Sequence, residues 1–313
     1  MTKPQVLQVG SYPEWDQVPL DAAFTMLRYF EASDKAAFLA KVGPEVRGIA
    51  TRGDLGASAA MIAACPKLEV IVVYGVGYDA VDIAACKSRG IRVTNTPDVL
   101  TEDVADLAVG MALMLSRGML AAAEWVASGE WSSKGGFALQ RKVSGKRAGI
   151  LGLGRIGAGV ARRLEGFGME IAYSSTAKRD VPWEFIADPV ALAARSDFLF
   201  VTLAATAATR HIVNADVIAA LGPAGMLVNV SRAANIDEEA LLDALEAGRL
   251  CGAALDVFEG EPKLNPRFLG LKNVLLQPHH ASGTYETRQA MGQLMRDNLE
   301  AHFAGRPLPT AVI

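Results

Sequence analysis

The sequence predicts an α/β protein built from two parallel-sheet domains, and three observations carry that expectation. Its 313 residues exceed a typical single domain. Short β-rich runs alternate with helical patterns along the whole length, the signature of strand–helix–strand units. The runs also fall into two series with a long apolar segment between them.

The first series is Val6 to Val9, Phe24 to Leu27, Gly48 to Thr51, Val70 to Tyr74 and Arg92 to Val93, which makes a small five-stranded domain. The second is Ala148 to Leu151, Ile171 to Tyr173, Phe198 to Thr202, Met226 to Val230, Ala253 to Val257 and Val274 to Gln277, six strands in all. Between them, Thr101 to Ala127 has few breakers and apolar positions on nearly every side. It reads as one helix buried all round, between the domains or against another subunit. A last helical pattern, Glu286 to Phe303, returns to the first domain and makes it discontinuous. The domains are therefore expected at 1–98 with 286–313, and at 99–285.

Composition narrows the function. Half the residues are hydrophobic, yet no apolar stretch approaches the roughly 20 residues that span a bilayer. The chain opens almost directly on a strand, without a basic segment and signal-type apolar run. Cys65, Cys86 and Cys251 show neither CxxC pairing nor metal-ligand spacing, so reduced thiols, a cytoplasmic location and no metal are expected. A formal net charge of -3 offers no broad basic surface for nucleic acid. Small anionic ligands remain as partners.

The strongest local motif is the glycine-rich turn Gly152-Leu153-Gly154-Arg155-Ile156-Gly157, which closes an apolar strand and opens a helix. Ile156, Val160, Leu164 and Phe167 follow at helical spacing, so one face packs on the sheet while Gly157 permits close approach. Gly152 takes the tight turn, and Gly154 lets backbone amides reach a pyrophosphate at the positive end of the helix. In that context the larger domain is a Rossmann-type doubly wound sheet that binds a dinucleotide. At the end of its next strand an NAD enzyme usually places a carboxylate on the ribose hydroxyls. Here Ser174, Ser175, Thr176, Lys178 and Arg179 precede the first acid, Asp180. Hydroxyls and cations bind a 2′-phosphate that a carboxylate would repel, so NADP(H) is expected over NAD(H).

Three further segments, in order, carry a resemblance: Val228-Asn229-Val230-Ser231-Arg232, Leu255-Asp256-Val257-Phe258-Glu259-Gly260-Glu261-Pro262, and Gln277-Pro278-His279-His280-Ala281-Ser282-Gly283-Thr284. They resemble the signatures of D-isomer-specific 2-hydroxyacid dehydrogenases, in a pattern similar to the hydroxyphenylpyruvate, hydroxypyruvate and glyoxylate reductase branch. Val93 to Asp106 and Gly145-Lys146-Arg147 extend the likeness over nearly the whole chain. The resemblance implies a flavodoxin-like smaller domain, an active site in the interdomain cleft, a homodimer, and reduction of a small 2-keto acid to its D-2-hydroxy acid.

Carried over by motif, Arg232, Glu261 and His279 follow successive strands and emerge at one carboxyl edge. Arg232 is permanently cationic and holds the substrate carboxylate while polarising the keto oxygen. His279 donates a proton to that oxygen, and Glu261 orients the ring through its other nitrogen. His280 adjoins His279 and competes for the role, but the motif places the catalytic histidine directly after Pro278. His211 and His302 lie outside the motifs and are expected to be structural or exposed. The same matching assigns Thr101, Thr209, Val230, Asp256 and Ser282, with the glycine turn, Arg232 and His279, to the cofactor. Tyr74-Gly75-Val76-Gly77 follows a strand, and the amides of Val76 and Gly77 are expected on the substrate carboxylate. Arg52 either faces the substrate or is a solvated loop cation.

Two departures, Ala233-Ala234 after the arginine and Ala204-Ala205 where a proline-containing turn is usual, leave loop geometry open. Two other readings stand beside the reductase: a dinucleotide-sensing protein without turnover, and a phosphoglycerate dehydrogenase-like enzyme.

Overall fold

The structure, a computed structural model, describes residues 3–313. The chain divides into two compact units, one of residues up to Leu100 together with Ser282–Ile313, the other Thr101–Ala281. The expected divisions at 98/99 and 285/286 differ by a few residues. Ser282 falls with the first unit, as does Thr284, whose hydroxyl accepts from the Thr287 amide and caps the final helix.

In the first unit, strands β1 (Gln5–Gln8), β2 (Thr25–Arg28), β3 (Gly48–Arg52), β4 (Val70–Tyr74) and β5 (Arg92–Thr94) form a wholly parallel sheet in the order β2-β1-β3-β4-β5. This is the flavodoxin-like order. Its helices are α1 (Glu14–Ala23), α2 (Lys35–Val42), α3 (Ala59–Ala63) and α4 (Ile83–Ser88). The α2, α3 and α4 starts are fixed by Asp34, Ser58 and Asp82, each accepting a first-turn amide. Both faces of β3 and β4 are covered, which is why their sequences run apolar without alternation. Leu7, Ile49 and Ile71 are fully buried and contribute about 1.5–3 kcal/mol each by leaving water.

The second unit opens with α5 (Thr101–Ser116), α6 (Met119–Ala127) and α7 (Glu130–Lys134). Its strands are β6 (Arg147–Leu151), β7 (Glu170–Ser174), β8 (Glu184–Phe185), β9 (Phe198–Val201), β10 (Met226–Asn229), β11 (Gly252–Leu255) and β12 (Val274–Leu276). The parallel order β12-β11-β10-β9-β6-β7-β8 is the doubly wound arrangement, reversing direction between β6 and β9. Helices α8 (Arg155–Glu165), α9 (Pro189–Ala194), α10 (Ala215–Leu221) and α11 (Glu238–Glu246) make the crossovers. The chain then returns to the first unit as α12 (Tyr285–Phe303).

Two expectations need correction. The sheet has seven strands, because Glu184–Phe185 adds a two-residue edge beside β7. The expected single helix from Thr101 to Ala127 is two helices bent by 58°, since Gly118 adopts the left-handed conformation (φ 56) and ends the first. α5 packs on α8 and on β10 to β12, whereas no residue of α6 is buried. Among the described residues no single helix is long and apolar enough to cross a membrane, although the bent pair would match one by length and composition.

Candidate active site

The parallel second sheet fixes where chemistry collects. Arg232 follows β10, Glu261 follows β11 and His279 follows β12, so three neighbouring strands deliver these side chains to one carboxyl edge. Glu261 Oε2 accepts a hydrogen bond from His279 Nδ1 at 2.6 Å. Its other oxygen accepts from the Phe258 amide at 2.7 Å, which closes the loop after β11. Burial pushes the Glu261 carboxyl up, but the bonds from His279 and Phe258 and the nearby charges of His279 and Arg232 outweigh it. Its pKa lies below the usual carboxylate value. A carboxylate on Nδ1 makes Nε2 the nitrogen available to a substrate.

His279 sits at φ 50, the left-handed region that side chains seldom enter. Asp256, at the end of β11 and only 1% exposed, explains how it stays there. Its Oδ1 accepts from the His280 amide at 2.9 Å and its Oδ2 from the Ala281 amide at 3.0 Å, fixing the turn that carries the ring. Burial raises the Asp256 carboxyl, and those two amides partly offset the rise. The adjacent His280 is occupied elsewhere, its Nε2 donating to Gln277 Oε1 at 2.7 Å.

The Arg232 loop is held by a buried polar network. Asn229 Oδ1 accepts from both the amide and the hydroxyl of Ser231, and Asn229 Nδ2 donates to the Arg232 carbonyl. Asn235 Nδ2 donates to Ser231 Oγ and to the Leu203 carbonyl, tying this loop to the one after β9. Neither Asp256 as a clamp nor Asn235 was foreseen. The signal available was a buried-type polar residue directly at a strand end, which sequence alone does not separate from a ligand contact.

The glycine turn shows the three steric demands separately. A Cβ on Gly152 (φ 103) would stand 2.6 Å from the Leu203 backbone, and one on Gly157 would stand 2.3 Å from the Gly152 carbonyl. A Cβ on Gly154 would meet nothing within 4 Å. The space over the start of α8 is thus open, with the positive helix end beneath it, and fits a dinucleotide pyrophosphate. Arg155 is exposed and Ile156 half-buried at that start.

The loop after β7 is pinned from below. The Tyr173 hydroxyl, on a fully buried side chain, accepts from the Arg179 amide at 2.7 Å and donates to the Arg179 carbonyl at 3.3 Å. Ser175, half-buried, donates to the Ala177 carbonyl, while Thr176, Lys178 and Arg179 are exposed. Neither cation is paired with a carboxylate among the described residues. Ser174 differs from the others of its group, being buried with its hydroxyl donated to the Ala187 carbonyl. Thr101, the first residue of α5, and Val230 are buried, whereas Thr209 folds its hydroxyl onto the Ala204 carbonyl at 2.8 Å.

In the first unit, Val76 and Gly77 follow β4, and their amides have no acceptor among the described residues. Asn95 Nδ2 holds the Val76 carbonyl at 2.8 Å, and Thr96 Oγ1 accepts from the Gly75 amide. Arg52 is bidentate to Asp54, at 3.1 and 3.0 Å. His302 is tied to Glu69 Oε2 at 3.0 Å in the first unit, and His211 Nε2 lies 3.7 Å from Glu259 in the second. Among the described residues no group of His, Cys, Asp and Glu is placed to hold a metal ion, and the three cysteines are free.

Residues 109–281 match the family model described as D-isomer specific 2-hydroxyacid dehydrogenase, NAD binding domain. The chain belongs to that family. A 2-hydroxyacid dehydrogenase of Ketogulonicigenium vulgare Y25 is 67% identical, with a TM-score of 0.94 and coverage of 100% of this chain and 99% of that one. The NADPH-dependent glyoxylate/hydroxypyruvate reductase of Sinorhizobium meliloti, solved with NADP and malonate, is 42% identical. Its TM-score is 0.94, and the match covers 99% of this chain and 97% of that one. The hydroxyphenylpyruvate reductase of Plectranthus scutellarioides is 46% identical over 94% of each chain. As a member of this dehydrogenase family the protein is an oxidoreductase, and the glycine turn belongs to its nucleotide-binding unit.

Proposed function

We propose that this dehydrogenase reduces glyoxylate, hydroxypyruvate or a related small 2-oxo acid to the D-2-hydroxy acid, with NADPH preferred over NADH and His279 as the proton donor. The observation that carries the reading is the 2.6 Å bond from His279 Nδ1 to Glu261, which fixes the ring and leaves Nε2 for proton transfer. The nicotinamide, when bound, supplies the hydride. Arg232 holds the substrate carboxylate and draws electron density toward the carbonyl oxygen, to which His279 passes its proton. Val76 and Gly77, whose amides have no acceptor among the described residues, are assigned to the substrate carboxylate.

The glycine turn, with Gly152, Gly154, Arg155, Ile156 and Gly157, takes the pyrophosphate. Thr101, Thr209, Val230, Asp256 and Ser282 are assigned to the rest of the cofactor. Ser175, Thr176, Lys178 and Arg179 take the 2′-phosphate, an assignment supported by two cations that no carboxylate neutralises among the described residues. Ser174 supports the loop through the Ala187 carbonyl. The names of the Sinorhizobium and Plectranthus relatives favour the same reaction class.

A homodimer in the cytoplasm is part of the proposal. Met119, Leu120, Val126, Trp131 and Leu139 expose apolar surface along α6, α7 and the segment after them, which a second copy would cover. The deciding assay is loss of NADPH absorbance with glyoxylate and hydroxypyruvate, repeated with NADH. Turnover with a higher kcat/KM for NADPH is expected; cofactor binding without turnover of any 2-oxo acid refutes the enzyme reading, and an NADH preference refutes the cofactor choice. Sedimentation at micromolar concentration is expected to give a dimer.

A further inference from the structure

The loop that follows β4 is aimed by the segment behind it. A trans peptide is planar, with its C=O and N–H pointing opposite ways, so whatever holds the carbonyl sets the direction of the N–H. The Gly75 carbonyl accepts from the Thr96 amide at 2.9 Å, which turns the Val76 N–H away from Thr96. The Val76 carbonyl accepts from Asn95 Nδ2 at 2.8 Å, which turns the Gly77 N–H away from Asn95. Thr96 Oγ1 takes the Gly75 amide at 3.0 Å. Two adjacent amides therefore face outward from one backing strip, Asn95–Thr96, and neither has an acceptor among the described residues.

That strip lies just past β5, the edge strand of the first sheet, and is itself held. Thr310 Oγ1 donates to the Asn95 carbonyl at 2.6 Å. Asn298, fully buried on α12, meets Thr310 twice: its Nδ2 donates to Thr310 Oγ1 at 2.8 Å, and its Oδ1 accepts from the Thr310 amide at 3.2 Å. Asn298 Nδ2 also donates to the Leu294 carbonyl at 2.7 Å, which fixes the amide within its helix. The Thr310 hydroxyl has one hydrogen, so it serves as an acceptor toward Asn298 and a donor toward Asn95. The bonds run in one direction, from Asn298 through Thr310 and Asn95 to Val76. Residues 311–313 fasten this relay along the free edge of β5. Ala311 bridges Thr94 in antiparallel fashion, the Val312 amide donates to the Val93 carbonyl at 2.7 Å, and Val312 and Ile313 pack on the core beneath. Every member of the relay belongs to the first unit.

The geometry points to Thr310 and Asn298 as positioning residues for substrate binding, which aim the Val76 and Gly77 amides through Asn95 and so set the affinity for the substrate carboxylate without touching it. This rests on the reading of those amides as the carboxylate site. A hydrogen bond from an N–H to a charged acceptor weakens steeply as its angle closes, so a loss of aim is a loss of anion affinity and not of chemistry. Were residues 310–313 only a cover for the β5 edge, their loss would lower stability alone.

Thr310→Val keeps the shape and removes the hydroxyl, leaving the Asn95 carbonyl and the Asn298 amide short of a partner. With saturating NADPH, KM for glyoxylate and hydroxypyruvate is expected to rise about 5- to 10-fold, while kcat and KM for NADPH stay within about 2-fold of wild type. Thr310→Ser keeps the hydroxyl and is expected to hold KM within about 2-fold. Hydrogen exchange of the Gly75 and Thr96 amides, measured without substrate, is expected to quicken about 10-fold in the valine variant. Asp34→Ala, which uncaps α2 in the same unit, is the stability control: it lowers the melting temperature without raising KM. If the valine variant folds poorly in melting curves, Thr310→Ala is read against Thr310→Ser in the same way. The inference is overturned if KM of the valine variant stays within about 2-fold, if kcat or KM for NADPH moves as far, if serine does no better than valine, or if Asp34→Ala raises KM equally. Exchange separates the two possible failures. Unchanged rates at Gly75 and Thr96 sink the relay, whereas faster rates in a protein that reduces no 2-oxo acid sink the carboxylate reading and this inference with it.

Discussion

Replacing Glu261 by Gln removes the charge of the His279 partner while nearly keeping its shape. The one amide oxygen of Gln can still accept from Nδ1 across the 2.6 Å gap and hold the ring's direction, with the amide nitrogen then turned to the Phe258 N–H, which loses its acceptor. Besides that loop bond, what disappears is the charge assistance during proton transfer. Two unit charges about 4 Å apart interact by about 4 kcal/mol at the effective dielectric near a protein surface. The side chains of His279 and Glu261 are 35% and 27% exposed, so water screens much of this and about 1.5–2 kcal/mol is the reasonable share. At 1.36 kcal/mol per tenfold, kcat/KM for glyoxylate should fall by about 10- to 30-fold. The sign of the stability effect follows from the lowered carboxyl pKa. A depressed folded value contributes stability above the unfolded value near 4.5 and loses it as pH falls through the folded value. The melting-temperature gap between wild type and E261Q should therefore be full at neutral pH and close below that range. Steady-state kinetics at neutral pH, with melts across the acid range, measure both. An E261Q enzyme within about 2-fold of wild type would remove the charge from the argument, since the expected loss is at least tenfold. A loss as deep as that of His279→Gln would mean that Glu261, not the ring, moves the proton.

Other expectations follow from the same geometry. His279→Gln should lower kcat by about 10²- to 10⁴-fold, the range of general acid–base catalysis, whereas His280→Gln, losing only its bond to Gln277, should retain most activity; the reverse order would reassign the proton donor. Tyr173→Phe frees the Arg179 backbone and should raise KM for NADPH by about 3- to 10-fold, with a smaller change for NADH, because roughly one hydrogen bond of about 1 kcal/mol orders the loop. An equal rise for both cofactors would make the tyrosine merely structural. Gly157→Ala places a methyl group 2.3 Å from the Gly152 carbonyl and should cost about 1–3 kcal/mol, read as a lower melting temperature together with weaker cofactor binding.

Much of this was legible in the sequence, for reasons visible residue by residue. Val70 to Tyr74 reads as a strand because parallel sheets covered on both faces need continuous apolar runs. Gly152 and Gly157 declare themselves because a backbone turn and a helix–strand contact each exclude a Cβ. The strand-end rule then places Arg232, Glu261 and His279 on one edge before any distance is known. The rest depends on contacts between segments far apart. Glu184–Phe185 has too few residues to show a period and is a strand only because β7 lies beside it. A single glycine at position 118 need not end a helix, and here it does because the chain turns by 58° there. Asp256 reads as a cofactor contact in the sequence, and that both its oxygens also hold the turn after β12 is visible only in the fold. A cavity around Arg288 in the first unit gathers residues from four separate stretches of chain, a grouping that no local pattern announces.

The left-handed backbone at His279 narrows which replacements evolution can try there. Asparagine, aspartate and glycine enter that conformation at low cost, whereas valine, isoleucine and threonine are strongly disfavoured. A lineage that gave up turnover but kept the fold would pass most easily through those few residues. Asparagine or glycine at this position in a gene duplicate would therefore mark a retired enzyme whose architecture is intact.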